Sequence, residues 1–236
     1  MPDGIVEHNE PHATGSWLEE FILGGQDGLV NVLGVLLGVA VATNDSRIVI
    51  IAGLAAVFAE SISMGAVGYT SRKARRDYYE KERLRELKEM EEIPEQEREE
   101  VREIYQKFGY TGKDLDDIVR LVTSNKKAWL NIMMNEELHL GSEEFRDPKI
   151  EALVIFGATL IGSFIPLLPF LFFPVKEAII IALILAVVVL FLAGAVKAKL
   201  TVGNWIKSGL EMAVIGFAAA MVGYAIGIWL GVPMVV

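Results

Sequence analysis

The chain has 236 residues, 53% hydrophobic and 22% charged, with no cysteine and a net charge of −9. The absence of cysteine excludes a disulfide scaffold, a Cys-ligated zinc or iron–sulfur site and a thiol nucleophile. The acidic balance, with a pI near 5.0, argues against a nucleic-acid partner and suits a cation.

Those percentages do not describe one uniform domain. Residues 72–150 hold 17 of the 22 Lys/Arg and 20 of the 31 Asp/Glu, so the rest of the chain is nearly free of charge. The distribution is that of an all-helical membrane protein with a soluble insert.

Residues 1–20 form a polar tail without Lys or Arg. That tail has no basic n-region and no small-residue cleavage site follows, so the first apolar segment is expected to be a retained span rather than a signal peptide. A membrane helix needs roughly 20 mostly apolar residues. Five segments reach that length: 21–42, 48–67, 152–173, 178–196 and 212–232. The expected organisation is a tail over 1–20, spans one and two in 21–70, a helical insert over 71–148, and spans three to five in 149–236.

The insert reads as helices. From Ser71 to about Glu92 there is no Gly or Pro and opposite charges recur at three- and four-residue spacing, so the second span is predicted to continue as a rod. Pro94 suits the first turn of a helix over 95–107, which Gly109 ends. Gly112 and Asp114 turn the chain into a short helix, and a last helix is predicted over 125–145, before Asp147-Pro148.

Charge alternates between the connections. Arg47 and Lys176 are the basic residues of the first and third connections, and the other twenty fall on the opposite side. By the positive-inside rule the amino terminus and the insert are expected in the cytosol and the carboxyl terminus outside.

Polar groups inside the spans carry the chemistry. A carboxylate at the bilayer centre costs about 2.5 to 3.5 kcal/mol on insertion scales. Asp27 lies about 9 Å into span one and Glu60 about 10 Å from the cytosolic end of span two, at a rise of about 1.5 Å per residue. Met64 is one turn from Glu60, and Asn31, Ser61 and Ser63 add neutral oxygens. Two carboxylates and a thioether at one depth suit a divalent transition metal such as Fe²⁺ better than Mg²⁺ or Ca²⁺. The alternative is structural: Gln26 and Asp27 cap a broken helix, Glu60 is neutral against a neighbour, and Met64 packs.

Glycines four apart (Gly24 and Gly28, Gly34 and Gly38, Gly223, Gly227 and Gly231) allow close helix approach and suggest an association face, hence a homodimer. In the insert, Glu82, Glu86 and Glu89 share one helix face, as do Glu97, Glu100 and Glu103. Met133 and Met134 precede Glu137 by four and three residues. These are either metal ligands or a solvated, ion-paired surface. Glu136 and His139 have the Glu-x-x-His spacing of di-iron bundles, which need two such motifs; His8 and His12 in the tail are the other histidines.

Four strings, Gln-Asp-Gly-Leu-Val-Asn-Val (26–32), Ala-Glu-Ser-Ile-Ser-Met-Gly-Ala-Val-Gly-Tyr (59–69), Lys-Lys-Ala-Trp-Leu-Asn-Ile-Met-Met-Asn-Glu-Glu-Leu (126–138) and Ile-Pro-Leu-Leu-Pro-Phe (165–170), resemble the vacuolar iron transporter family in matching order and spacing. The resemblance implies five membrane helices, a homodimer, a cytosolic metal-binding domain between spans two and three, and export of Fe²⁺, sometimes Mn²⁺, from the cytosol in exchange for protons. It implies no enzyme activity and no cofactor, since the metal is the substrate. Carried over, the family's pathway aspartate and methionine match Asp27 and Met64, and its metal-domain ligands match Glu86, Glu89, Glu97, Glu100, Met133, Met134 and Glu137. The family's second-span glutamate falls on Ala56, and this chain has Glu60 one turn later. The short termini suggest a prokaryotic plasma-membrane protein. A membrane-anchored metal sensor or storage module, in which the spans only dimerise, is the alternative.

Overall fold

The computed structural model describes residues 14–141, 147–201 and 203–231. The start of the tail, with His8 and His12, and the predicted helix end at Phe145 lie outside them. The described helices are α1 (Thr14–Thr43), α2 (Ser46–Glu92), α3 (Pro94–Lys107), α4 (Gly112–Ser124), α5 (Lys126–Ile132), α6 (Pro148–Phe172), α7 (Val175–Leu200) and α8 (Trp205–Leu230). A π-helical turn, Met133–Glu137, continues α5. Five of these, α1, α2, α6, α7 and α8, are long and apolar enough to cross a bilayer. The chain forms two compact units, one from the segments up to Tyr69 and from Lys149 on, the other from Thr70–Pro148.

In the first unit α1 turns into α2 through two residues. Asn44 takes the left-handed conformation at φ 48, which asparagine tolerates, and Asp45 Oδ1 accepts from the backbone N–H of Arg47 at 2.8 Å and Ile48 at 3.2 Å. The α1 side chains Leu29, Val32, Leu33, Leu36 and Leu37 are buried at the centre of the apolar core. On α7, Ala178, Ala182, Ala186 and Leu190 are buried while Ile180, Ile184, Val188 and Leu192 are exposed. Small side chains thus face the bundle, and branched ones are left for lipid.

Close helix crossings explain the glycines. A Cβ on Gly28 would lie 2.5 Å from the Thr159 carbonyl oxygen and from Ser163 Oγ, and one on Gly162 would lie 2.1 Å from the Gly25 carbonyl oxygen. Likewise a Cβ on Gly223 would meet the Gly34 carbonyl oxygen at 2.3 Å, and one on Gly227 the Gly38 carbonyl oxygen at 2.4 Å. The glycine rows are therefore used at the α1–α6 and α1–α8 crossings, while a Cβ on Gly34 would meet open space.

In the second unit α2 runs unbroken to Glu92, as its charge spacing predicts. Pro94 opens α3, and Gly109, at φ 95, closes the turn after it. The helix α4 has 13 residues and fills the stretch between Gly112 and Asn125. Asn125 caps α5, its side chain accepting from the N–H of Lys127 at 3.0 Å and Ala128 at 3.2 Å. The last helix ends at Glu137, not Phe145. The Leu138 N–H bonds the Met133 carbonyl at 3.1 Å and the Leu140 N–H bonds that of Met134 at 2.8 Å. His139 then takes φ 53, a left-handed residue that ends a helix. Met90, Val101, Leu115, Val119 and Trp129 form the core of this unit, together with Leu130, Met133 and Met134.

Candidate metal centres

Gln26 and Asp27 lie inside the continuous helix α1, so they cap no break. Asn31 is one turn further on. Its side-chain amide donates to Glu60 Oε1 of α2 at 3.0 Å, and the Asp27 carboxyl makes hydrogen-bonding contact with both Glu60 and Asn31. Three polar side chains from two helices thus share one place, with Asp27 and Glu60 half-buried. Two carboxylates in contact repel, and either a bound cation or a proton relieves that repulsion.

Met64 is half-buried one turn along α2 from Glu60. Ala56 is packed against the apolar core, so the carboxyl that reaches Asp27 is the one at position 60. Ser61 is buried and its hydroxyl donates to the Val57 carbonyl at 2.7 Å, which turns it toward its own helix. Ser63 is exposed.

The second centre is acidic. Carboxylate oxygens of Glu86, Glu89 and Glu97 all lie within 4.8 Å of one another. Glu86 on α2 is 1% exposed and Glu97 on α3 is 2% exposed, and one oxygen of each, Oε2, is buried without a hydrogen-bond partner. Leaving two buried carboxylate oxygens unsatisfied is costly unless something binds them. Burial pushes the Glu97 carboxyl up to about 8, with Glu100, Glu86, Glu137 and Glu89 adding repulsion. Burial also raises Glu137 to about 7, with Glu100 and Glu86 pushing the same way and Arg85 opposing them. The Glu86 carboxyl is raised by burial and partly restored by its bond from Arg85. Five carboxyls from α2, α3 and the π turn, Glu86, Glu89, Glu97, Glu100 and Glu137, thus share one electrostatic neighbourhood.

Other expected members fall elsewhere. Glu103 is exposed, and Glu82 is buried in an ion pair with Arg85 at 2.9 Å. Met133 and Met134 are buried in the apolar core on the turn that carries Glu137. Glu136 and His139 are exposed, and Glu136 lies in the π turn while His139 lies beyond the helix end at φ 53, so they lack the helical register that a di-iron motif needs. Sequence reading passed over Arg85, whose guanidinium touches Glu82, Glu86 and Glu89. Its signal was three glutamates within four residues of one arginine.

A five-span bundle with a carboxyl pair on α1 and α2, joined to a second helical unit with a glutamate cluster, defines a multi-pass membrane protein with two acidic side-chain clusters. The chain belongs to the VIT family, whose family model matches residues 18–228. It is 33% identical over 223 residues to vacuolar iron transporter 1 of Tulipa gesneriana, covering 94% of this chain and 90% of that protein. It is 34% identical to vacuolar iron transporter 1 of Arabidopsis thaliana, with the same shares covered. Against the vacuolar iron transporter of Plasmodium falciparum the identity is 30%, over 95% of this chain and 86% of that one.

Proposed function

We propose that the protein is a proton-coupled transporter of divalent transition metal, Fe²⁺ first and Mn²⁺ second, that exports the ion from the cytosol. Family membership and the names of its relatives support iron as the substrate. The observation that carries the reading is the Asp27–Asn31–Glu60 constellation, because a carboxyl pair inside a membrane unit is costly to keep without a use. Asp27 and Glu60 hold the ion by charge, Met64 adds a thioether that favours Fe²⁺, and protons replace the metal when it leaves. The glutamate cluster, with Glu86, Glu89, Glu97, Glu100, Glu137 and the sulfurs of Met133 and Met134, collects metal and supplies the pathway.

The distribution of Lys and Arg supports a cytosolic amino terminus and insert. The chain works as a homodimer in a prokaryotic plasma membrane. The experiment is reconstitution into liposomes loaded with a pH-sensitive dye. Addition of Fe²⁺ is expected to drive metal one way and protons the other, and Met64→Leu to slow Fe²⁺ more than Mn²⁺. Metal binding with no flux of either ion would leave a sensor or storage module instead.

A further inference from the structure

Arg85 is a cation in direct contact with the glutamate cluster. Its Nη1 lies 2.9 Å from Glu82 Oε2, its Nη2 3.2 Å from Glu86 Oε1 and its Nε 3.5 Å from Glu89 Oε2. Two of those carboxylates belong to the group of three whose oxygens converge, and Glu82 does not. The partners differ in burial as well: the Glu82 and Glu86 side chains are 6% and 2% exposed, whereas that of Arg85 is 48% exposed. A long, half-exposed side chain on a helix surface can change rotamer at little cost, while the buried carboxylates cannot follow it.

A guanidinium here does part of what a metal ion does. It balances the charge of Glu86 and Glu89 and occupies one oxygen of each, while the second Glu86 oxygen and one Glu97 oxygen remain without a partner. An arriving divalent ion competes with it for the same two carboxylates, and like charges at this range repel strongly away from bulk water. Glu82 offers the guanidinium its shortest contact outside the group of three, so the arginine has somewhere to withdraw.

Resting on the reading of the glutamate cluster as a metal centre, we propose that Arg85 is a tethered counter-cation that incoming metal displaces from Glu86 and Glu89 onto Glu82. It is a positioning residue that weakens capture and speeds release. A transporter needs that property, since a site holding five carboxylates with nothing to oppose the ion would keep its cargo.

The test uses the full chain carrying Asp27→Asn and Glu60→Gln, so that only the cluster is read, and this parent is the wild type of the comparison. It is run in detergent, without oxygen at pH 8, with Mn²⁺ as the probe and the fall of the free-ion paramagnetic resonance signal as the readout of binding. Arg85→Gln is expected to bind Mn²⁺ about tenfold tighter than wild type and to release it more slowly, because one opposing charge is gone. Arg85→Lys keeps the charge and should stay near wild type. Glu82→Gln should weaken binding more when Arg85 is present than in the Arg85→Gln background, where no guanidinium needs a refuge. Equal weakening in both is the bare loss of a neighbouring charge and overturns the withdrawal onto Glu82.

Arg85→Gln binding that equals or falls below wild type, while Glu86→Gln with Glu97→Gln abolishes binding, overturns the Arg85 proposal alone. Wild-type binding that survives that double substitution overturns the cluster reading, and the Arg85 proposal with it. Should Arg85→Gln fail to fold, Arg85→Met, which keeps an extended stem without the charge, takes its place, and binding no tighter than wild type overturns the proposal.

Discussion

Asn31 donates its side-chain amide to Glu60 Oε1 at 3.0 Å, tying α1 to α2 where Asp27 meets the same carboxyl. The amide fixes one oxygen of Glu60, and on the proposed reading the carboxyl so positioned holds the ion together with Asp27. Hydrogen bonds to charged groups are worth about 1.5 to 3 kcal/mol, so Asn31→Leu is expected to slow Fe²⁺ flux about tenfold or more. Initial rates in proteoliposomes check this, with expression level as the control. A wild-type rate would mean that Glu60 needs no positioning.

Metal binding at the glutamate cluster should release protons. At neutral pH Glu97, raised to about 8, is mostly protonated and Glu137, raised to about 7, about half so, and a metal must displace those protons. Affinity for Mn²⁺ is expected to rise steeply between about pH 6 and pH 9, since the ligand form of both carboxyls is the ionised one. Calorimetry in buffers of different ionisation enthalpy measures the release, and Glu97→Gln should both weaken binding and lower the number of protons released.

The same shifts fix the sign of stability against pH. Each folded value lies above the ordinary 4.5, so the metal-free native state binds more protons than the unfolded chain. The contribution is fully present below about pH 4.5 and is lost as pH rises through about 7 for Glu137 and 8 for Glu97. Denaturation of the metal-free protein, followed by circular dichroism, should occur at lower denaturant concentration at pH 8.5 than at pH 6. Added Mn²⁺ should reverse the trend, because it binds the folded state alone. Glu97→Gln should flatten the metal-free dependence.

Much of this was legible in the sequence because its causes are local. Pro94 and Gly109 mark helix ends by backbone geometry, and the charges of α2 repeat at helical spacing. Asp27 and Glu60 stood out because a carboxyl in an apolar segment is costly to bury. The π turn was not legible: the apolar pattern runs on past Met134, and the shift in register accompanies burial of both methionines in the core. Nor does face periodicity say which turn meets a neighbour, so Glu82 and Glu103 looked equivalent to Glu86 and Glu100. The glycine rows announced close packing but not its partner, which proved to be α6 and α8 of the same chain.

Orientation can be read by labelling, because the chain has no cysteine of its own. A cysteine at Glu177, exposed in the first turn of α7, is expected to react with an impermeant thiol reagent added to intact cells. One at Lys113, exposed on α4, is expected to react after lysis only. The reverse pattern would invert the topology and the direction of transport.

The central claim is that the carboxyl pair between α1 and α2 carries metal and protons through the bilayer. Asp27→Asn with Glu60→Gln keeps the shape of both side chains and removes both charges and both exchangeable protons. Fe²⁺ uptake into proteoliposomes under an imposed pH gradient measures the consequence directly. Flux is expected to vanish in the double variant while Mn²⁺ binding at Glu86, Glu89 and Glu97 stays at the wild-type level. Full, pH-dependent flux in that variant would contradict it and move the pathway elsewhere in the bundle.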